Sequence, residues 1–553
     1  MSSAGSFTSP LLRADDAPAR DPTGALMRVV ATAVALGAIE TGGPLSPAET
    51  ALVRQAPKSV SDVDSVRAAI MAGADPLGEA LLRAYSSEER RERGAFYTPQ
   101  AVVTAMVSWM LGQGVSRVVD AGCGSGRFAA EVTRRAPGTH VVAVDADPAA
   151  TLVCRATLSV LGALRCQVTN DDYVTLALRP WSGRTAFAGN PPYVRHHRLS
   201  AAEKLCGRDL AARFGLPLSG LAGLQVYFFL STLANARQGD VGCFITSAEW
   251  MDVTYGQTVR SLLVDGLGLR GLYLVDTRRA TFRDAMTTAV ISCFEVGVRP
   301  DVIRVRSRLD PEDRLDLDDG APVHRPCLEK ATRWSPLLLG AVTEPRAGTV
   351  RLGDFVRVSR GVATGHNSFF VLDRRHAEAL GLLPYAVPVL HEAEQVLRAN
   401  GVVDAHSTSR VVLDPPRDLD LDSPAHQPLR KYLRAGEQAG VHHRYLCEHR
   451  APWWKLGAKS PPIVATYMAR QAPAFALNPD GLAIVNVLHG LYPKVPLDPE
   501  QLDGLVAFLN ANRETFRGSG RTYQGGLEKF EPREMENLPV PEPEDLRAHA
   551  ARR

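Results

Sequence analysis

The sequence lacks the close cysteine pairs that build zinc ribbons and small disulfide domains. Its eight cysteines are scattered over 553 residues, and no Cys-x-x-Cys pair occurs. Zinc ribbons and secreted disulfide scaffolds depend on such spacing, so neither class fits this chain. Dispersed cysteines are instead typical of a protein that works in a reducing compartment.

Long apolar runs are also missing. The run Val29–Ile39 spans 11 residues and follows Arg28, whereas a helix that crosses a bilayer needs roughly 20 apolar residues. Residues 1–23 contain no apolar core of the kind that secretory signal peptides carry. We therefore expect a cytoplasmic protein with no membrane partner.

The net charge is small as well. The formal charge is +3 at pH 7, which neither supports nor excludes nucleic-acid binding, because a local basic surface would suffice for that. Hydrophobic residues make up 45% of the chain and charged residues 22%, as in ordinary globular proteins. The length predicts two to four domains with ample core.

A predicted strand, a glycine-rich turn and a helix start follow one another just before Arg127. The strand ends in Asp120, and Gly122, Gly124 and Gly126 then alternate with other residues. Glycine lets the backbone approach a ligand closely. The G-x-G-x-G spacing differs from the G-x-G-x-x-G of dinucleotide-binding proteins, and no phosphate-binding lysine follows it. Neither a nicotinamide cofactor nor a nucleoside triphosphate is therefore expected.

Two further predicted strands end in acceptor side chains. His140–Ala146 contains Asp145, whose carboxylate suits the two hydroxyls of a ribose. The next strand leads to Asp171, Asp172 and Tyr173. One of these two aspartates could accept from an adenine amino group while the tyrosine ring packs on the base. Capping or solvation would explain any one acid alone, but three strand ends in series favour one ligand site.

The tetrapeptide Asn190-Pro191-Pro192-Tyr193 follows the apolar run Thr185–Gly189, which is typical of a buried strand. The Asn190 amide oxygen and the Pro191 carbonyl are both acceptors and can hold both hydrogens of one amino group. Pulled in this way, a delocalised amine moves toward a reactive, tetrahedral shape. The prolines stiffen the loop, and Tyr193 offers a flat face to a planar ring. An ordinary Pro-Pro turn is the alternative for the motif taken alone.

Gly94–Pro99 precedes an apolar helical pattern over Val102–Leu111. Thr98 is placed to cap that helix, with Pro99 in its first turn. A helix N-terminus with a nearby hydroxyl is also a good seat for a carboxylate, although capping alone would explain these residues.

Several sequence blocks together resemble those of the DNA adenine-N6 methyltransferases that use S-adenosyl-L-methionine. In chain order they are Gly94–Pro99, the glycine turn Asp120–Gly126, the strand-end acids Asp145 and Asp172 with Tyr173, and Asn190–Tyr193. The block that ends at Pro99 precedes the glycine turn, an order that resembles the gamma class, the TaqI-like enzymes of restriction-modification systems. The resemblance covers residues 90–300 well and the remainder more loosely. It implies a set of cofactor-binding residues: Tyr97, Thr98, Pro99, Asp120, Ala121, Gly122, Cys123, Gly124, Gly126, Asp145, Asp172 and Tyr173.

The resemblance also implies a catalytic loop made of Asn190, Pro191, Pro192 and Tyr193, with a flipped adenine stacked between Tyr193 and Phe282. Relatives often carry Phe at the position of Tyr173, so its hydroxyl needs a partner. The expected reaction is methyl transfer to adenine N6 in a specific duplex sequence, protecting host DNA.

The alternation of strands and helices predicts an α/β fold, with a doubly wound, Rossmann-like class I methyltransferase sheet and a C-terminal α+β domain. We expect a partly disordered segment over residues 1–60, a catalytic domain over 61–300, a linker over 301–340 and a DNA-recognition domain over 341–553.

The C-terminal half has a local basic excess. Residues 331–470 contain 18 Lys and Arg residues against 13 Asp and Glu residues, together with Trp453 and Trp454. Cations interleaved with aromatic residues suit a DNA-facing surface, although a plain globular domain with a slightly basic surface is the alternative. Two blocks of the C-terminal half, Val358–Phe370 and Arg521–Pro532, resemble recognition-domain blocks of this family. They supply the candidate DNA contacts: Arg360, Thr364, Arg521 and Lys529.

The expected partners are double-stranded DNA and, where one exists, a restriction endonuclease that acts on the same site; we expect a monomer. No metal is expected, because His196 and His197 lack further ligands at tetrahedral spacing. The alternatives are an RNA or protein-glutamine N-methyltransferase, a bifunctional restriction enzyme and methylase, and a non-catalytic DNA-binding relative. Cytosine-N4 methylation is chemically similar, and the resemblance alone favours adenine.

Overall fold

A computed structural model describes residues 21–86, 88–90, 98–194, 196–275, 289–309, 315–339, 348–469, 472–516, 520–523 and 527–550. The chain divides into two compact units, with the boundary between Leu338 and Leu339. Within the described residues, no helix has the length and apolar character that a membrane span requires.

One sheet of nine strands, counted among the described residues, organises the first unit. Its spatial order is β3-β2-β1-β4-β5-β7-β6-β8-β9. The strands are β1 Arg117–Ala121, β2 His140–Asp145, β3 Cys166–Asn170, β4 Thr185–Gly189, β5 Val241–Ser247, β6 Leu269–Val275, β7 Ala289–Glu295, β8 Val302–Leu309 and β9 Ala321–His324.

Strands β1 to β5 pair in parallel, whereas β7 runs antiparallel to both β5 and β6. Every residue of β1, β4 and β5 is buried, as expected for parallel strands that are covered on both faces. The predicted doubly wound α/β sheet is therefore confirmed.

Helices cover both faces of this sheet. Phe229 belongs to a core that includes Phe187 and Phe244 of the sheet, while Met106 belongs to a second core that includes Val118. The helices are α1 Pro22–Ala35, α2 Pro47–Gln55, α3 Val63–Met71, α4 Pro76–Ala84, α5 Gln100–Gly112, α6 Arg127–Arg135, α7 Pro148–Val160, α8 Ala201–Arg213, α9 Leu224–Asn235, α10 Gln257–Ser261, α11 Arg325–Lys330 and α12 Ser335–Leu339.

The N-terminal helices belong to the first unit, which differs from the expected partly disordered segment over residues 1–60. Val30 of α1 and Leu81 of α4 share a core with Leu152 of α7. The buried Arg155 guanidinium then donates to Glu49 Oε1 at 2.8 Å. Because α1 and α2 bury apolar side chains against α7, their helical structure is stabilised by packing. Residues 1–20 lie outside the described part.

The expected linker over residues 301–340 also differs from the structure. Strand β8 pairs in parallel with β6, and β9 pairs with β8, so both extend the sheet. Ile303 and Val305 are buried while Val302, Arg304 and Arg306 are exposed, a strand alternation that the charged composition obscured. Trp334 is buried and packs edge-on against Trp250 at 5.7 Å between ring centroids.

The second unit mixes small sheets with short helices, and its α+β character agrees with the prediction. Two four-stranded sheets have the orders β11-β19-β15-β17 and β12-β14-β13-β18, and β16-β21-β20 and β10-β22 are smaller. The strands are β10 Val350–Arg351, β11 Val356–Arg360, β12 Val371–Asp373, β13 Ala386–Leu390, β14 Arg410–Leu413, β15 Ile463–Thr466, β16 Met468–Ala469, β17 Phe475–Leu477, β18 Ala483–Ile484, β19 Leu488–Pro493, β20 Arg521–Tyr523, β21 Leu527–Lys529 and β22 Pro539–Val540. The helices are α13 Leu352–Phe355, α14 Asn367–Phe370, α15 Arg374–Ala379, α16 Ala393–Leu397, α17 Gln427–Gln438, α18 Tyr445–Glu448, α19 Pro499–Ala511 and α20 Pro532–Glu536.

Candidate active site

A cavity of about 150 Å³ opens at the carboxyl ends of the adjacent strands β2, β1 and β4. Ligands of open α/β sheets bind at this edge. Its described lining contains several residues that the sequence singles out: Thr98, Gly122, Cys123, Gly124, Asp145, Asn190 and Pro192. The fold therefore brings the glycine turn, the second-strand acid and the start of the Asn190–Tyr193 loop to one place.

Asn190 and Thr98 are directly bonded. The Asn190 Nδ2 donates to Thr98 Oγ1 at 3.1 Å, so the amide oxygen occupies the opposite edge of the group. Thr98 does not cap the helix as expected. Helix α5 begins at Gln100, its N-cap residue is Pro99, and no side chain forms a capping hydrogen bond. An extended Pro99 (φ −56°, ψ 144°) places the hydroxyl before the cap position, where it meets Asn190.

A glycine at the end of β4 lets the Asn190 loop approach β1. Gly189 has φ +159°, and a Cβ there would lie 2.4 Å from the carbonyl oxygen of Ala121. A larger residue would push the loop away from the sheet edge. Beyond Asn190, Pro191 is buried and Tyr193 is half-buried, and burial raises the pKa of the Tyr193 hydroxyl.

The glycine turn is held against its neighbours. Gly126 has φ +85°, and a Cβ there would come within 2.5 Å of the Cys154 sulfur on α7, so only glycine lets α6 start here without displacing α7. The Gly124 N–H donates to Asp145 Oδ2 at 2.8 Å, and the Asp147 N–H donates to Asp145 Oδ1 at 2.9 Å. These two bonds orient the Asp145 carboxylate at the cavity wall.

Asp120 lies beneath the turn rather than in the cavity lining. Its Oδ2 accepts from the Ala129 N–H at 3.0 Å, which anchors the first turns of α6. Its Oδ1 is buried and has no hydrogen-bond partner among the described residues. Burial raises the Asp120 pKa to about 8; the Ala129 bond opposes the rise and the Asp145 charge adds to it. Ala121 and Gly126 are likewise outside the described lining.

The third-strand pair is adjacent to the site but does not line this cavity. The buried Tyr173 hydroxyl bonds Thr232 Oγ1 at 2.9 Å, which supplies the partner that this hydroxyl needs, and its ring packs at 5.0 Å on Phe228. Asp172 Oδ1 accepts from the Val174 N–H at 2.9 Å, and burial raises the pKa of the Asp172 carboxyl. The Asp171 N–H donates to the Asp145 carbonyl at 3.0 Å, which keeps both aspartates near the end of β2.

Sequence reasoning assigned no site residue before Tyr97 and therefore missed one wall of the cavity. Helix α4 and its flanks contribute Asp75, Gly78, Leu81, Leu82 and Tyr85, and further lining comes from Ser125, Arg127, Phe128, Asp147 and Ala150. The Asp-Pro helix start at Asp75 is visible in the sequence, but the neighbour that the helix meets is a property of the tertiary structure.

The candidate DNA contacts converge in part. Within the second unit, Glu531 pairs with the half-exposed Arg360 and, at 2.6 Å, with Lys529. Burial opposes ionisation of Glu531, but the bonds to Lys529 and Arg360 outweigh burial and lower its pKa. Arg521 lies opposite Lys529 in the β20–β21 register, and its side chain lies outside the described part, as do Tyr97 and Phe282.

Thr364 does not suit a contact with DNA. It is 2% exposed, its hydroxyl bonds Asn367 and accepts from the His366 N–H, and its carbonyl accepts from Arg450. A buried turn of this kind positions its neighbours rather than reaching a base. Across the described residues, no group of three or more His, Cys, Asp or Glu side chains could hold a metal ion.

Two family models match the chain. The model described as N-6 DNA Methylase matches residues 75–204, which include every described lining residue of the cavity. The model described as the C-terminal domain of type II methyltransferase M.Eco57I matches residues 338–553, which correspond to the second compact unit.

The type II methyltransferase M.XamI of Xanthomonas campestris pv. amaranthicola is 39% identical over an alignment of 533 residues that covers 93% of this chain and 98% of that relative. The chain belongs to the type II N6-adenine DNA methyltransferases. As a restriction-modification enzyme, this methyltransferase methylates adenine in DNA, as the sequence predicts. The full-length match favours DNA over the RNA and protein-glutamine alternatives.

Two further comparisons concern a second curated relative and a solved structure. The methyltransferase is 21% identical over 472 residues to type II methyltransferase M.AccI of Acinetobacter calcoaceticus, covering 82% of this chain and 86% of that relative. It also superimposes on the type IIL restriction-modification enzyme MmeI, solved in complex with DNA, with a TM-score of 0.53 and 13% identity, covering 82% and 69% of the two chains. At that identity the likeness concerns the fold.

Proposed function

We propose that this methyltransferase uses S-adenosyl-L-methionine to methylate N6 of a flipped adenine in a specific duplex site, and that the Asn190–Tyr193 loop performs the reaction. The observation that carries the proposal is the 3.1 Å bond from Asn190 Nδ2 to Thr98 Oγ1 at the wall of the strand-end cavity. This bond prevents rotation of the amide, so its oxygen keeps one direction.

The cavity residues suit this cofactor. The described lining includes the carboxylates of Asp75, Asp145 and Asp147 against the guanidinium of Arg127, an acidic excess that complements a molecule with a net positive charge. Asp145, fixed by two backbone N–H groups, suits the hydroxyls of a ribose. When bound, the cofactor supplies a methyl group that its sulfonium charge already activates.

The chain's own residues bind and orient the base. Asn190 accepts one N6 hydrogen through its amide oxygen, and the Pro191 carbonyl accepts the other. Because both acceptors sit on a proline-stiffened loop, they need no reorganisation as charge develops on the amine. Tyr193 and Phe282 enclose the ring, which offsets an unstacking cost of roughly a few kcal/mol.

The second unit, which contains the expected recognition domain 341–553, selects the DNA sequence. Arg360, Arg521 and Lys529 neutralise phosphates and set the register of the duplex. We propose that a monomer acts on double-stranded DNA and that a cognate restriction endonuclease cleaves the same site when it is unmethylated.

The test measures methyl transfer to duplex DNA, with the modified base mapped by sequencing. We expect N6-methyladenine in one short sequence and a kcat that falls about 100-fold or more in Asn190→Ala. Gln257→Ala, which removes an exposed amide of the same unit, should keep the parental rate. Parental activity in Asn190→Ala, or methylation of cytosine alone, would contradict the proposal.

A further inference from the structure

An ion pair occupies the wall of the cavity that α4 forms. The carboxylate of Asp75 accepts from the Gly78 N–H at 3.0 Å and from Ser125 Oγ at 2.6 Å, and Arg127 Nη1 lies 3.4 Å from the same carboxylate. The two side chains are 11% and 10% exposed. Both line the cavity, so opposite charges face the ligand space side by side.

This pair is poorly explained as a device for stability. Removing two charges from water costs about as much as their attraction returns, and apolar side chains often stabilise such a position better. The separation of 3.4 Å exceeds the roughly 2.8 Å of a tight charge-assisted hydrogen bond. Burial raises the Asp75 pKa, and Arg127 and Ser125 oppose that rise, so a cationic ligand group would favour the ionised carboxylate further.

Arg127 is fixed from a second direction. Its Nη2 donates to Gln100 Oε1 at 2.9 Å, at the start of α5. The guanidinium is therefore oriented by Asp75 in the cavity wall and by Gln100 of α5, and a fork held in this way suits a carboxylate.

We propose that Asp75 and Arg127 bind the amino-acid end of the cofactor, Asp75 by accepting from its α-ammonium group and Arg127 by donating to its α-carboxylate. The inference rests on the proposed function and assigns two contacts that the family resemblance does not. A zwitterion presents opposite charges on one carbon atom, and a neighbouring acid and base of opposite sign match it. Thr98, one of the expected cofactor-binding residues, already accepts a bond from Asn190.

The opposite end of α4 offers a matched, uncharged contact. The Tyr85 hydroxyl donates to Asp147 Oδ2 at 2.6 Å, beside the acid that suits the ribose. Both residues line the same cavity. Tyr85→Phe therefore perturbs the same wall without changing its charge.

The test compares two ligands by calorimetric or competitive binding to the full chain. S-adenosylhomocysteine carries the amino-acid end, whereas 5′-methylthioadenosine lacks it. We expect Asp75→Asn and Arg127→Gln to weaken S-adenosylhomocysteine about 10-fold or more and to change 5′-methylthioadenosine less than 2-fold. Tyr85→Phe should change both ligands by the same factor.

The outcomes separate the two proposals. If Asp75→Asn or Arg127→Gln weakened both ligands equally, or neither, the assignment would be overturned while the cofactor site stood. If the parental chain bound neither ligand, the proposed function itself would fail. Arg127→Lys keeps the positive charge but loses the two-pronged guanidinium. Its affinity for S-adenosylhomocysteine should lie between those of the parent and Arg127→Gln, so it provides a second measurement if Arg127→Gln folds poorly.

Discussion

Asn190 Nδ2 donates to Thr98 Oγ1 across 92 residues of sequence. The hydroxyl that the sequence offered as a helix cap thus orients the amide expected to hold the target amine. The bond also joins the block before α5 to the loop after β4, so the geometry of the proposed catalytic loop depends on an element that precedes the glycine turn.

The first prediction concerns this bond. Thr98→Val keeps the shape of the side chain but removes the acceptor, so the Asn190 amide should lose its fixed orientation. We expect kcat to fall about 5-fold, in line with about 1 kcal/mol for one hydrogen bond, with little change in KM for DNA. Thr98→Ser retains the hydroxyl and should keep most activity; equal losses in both variants would show that the bond is not what matters.

The second prediction concerns the buried Arg155. It donates to Glu49 at 2.8 Å and to the Val168 carbonyl at 2.8 Å, and both charged side chains are fully buried. Arg155→Met leaves the Glu49 charge unpaired, which should lower the free energy of unfolding by about 3–5 kcal/mol. Urea denaturation measures the change.

Two control variants accompany Arg155→Met: the same type of substitution at an exposed ion pair, and a double variant at the buried pair. Arg299→Met removes the exposed partner of Asp265 and should cost less than about 1 kcal/mol. The double variant Arg155→Met/Glu49→Leu should recover part of the loss, because no charge remains buried. A loss in Arg155→Met no larger than in Arg299→Met would exclude the inferred role.

The third prediction is a pH dependence that arises from Asp120. Its pKa is about 8 in the folded chain and about 4 in the unfolded chain, so the folded state binds the proton more tightly. Stability should therefore fall as the pH rises from 4 to 8, by at most about 1.4 kcal/mol per pH unit from this group. Asp120→Asn should flatten the decline in unfolding free energy between pH 5 and pH 8.

The control for that experiment is Glu40→Gln, which changes an exposed acid of the same unit. It should keep the parental slope. An unaltered slope in Asp120→Asn would mean that Asp120 is ionised throughout this range despite its burial.

The fourth prediction concerns the second unit. Lys529, which pairs with Glu531 at 2.6 Å, is expected to contact a phosphate. Lys529→Met should weaken binding to all duplex sequences alike and reduce the slope of log affinity against log salt by about 1. Fluorescence anisotropy at several salt concentrations measures both quantities.

Glu531→Gln supplies a variant of opposite sign, because it removes the anion that Arg360 and Lys529 share. It should strengthen non-specific DNA binding. Lys58→Met, at an exposed position of the first unit, should change neither affinity nor slope. A salt slope unchanged in Lys529→Met would remove this residue from the DNA surface.

Much of the first unit follows from local sequence. Strand β4 has the bounds Thr185–Gly189 that its apolar run predicts, and β1 ends at Ala121, one residue beyond the expected Asp120. These elements bury every or nearly every side chain, so their signal is continuous. The alternating β8, with Ile303 and Val305 set among arginines, differs from the expected linker because its charged composition masks the two-residue alternation of buried and exposed side chains.

The sequence by itself determined the local motifs of the candidate site. The glycine turn, the acids at the strand ends and the Asn190 loop each depend on a few neighbouring residues. Tertiary structure alone decided that Thr98 orients Asn190, that Asp120 lies beneath the turn, that Thr364 is buried and that α4 carries Asp75 to the cavity. The physical reason is range. A turn or strand end depends on a few adjacent dihedral angles and side chains, whereas the partner of a hydroxyl or carboxylate depends on which distant elements pack beside it.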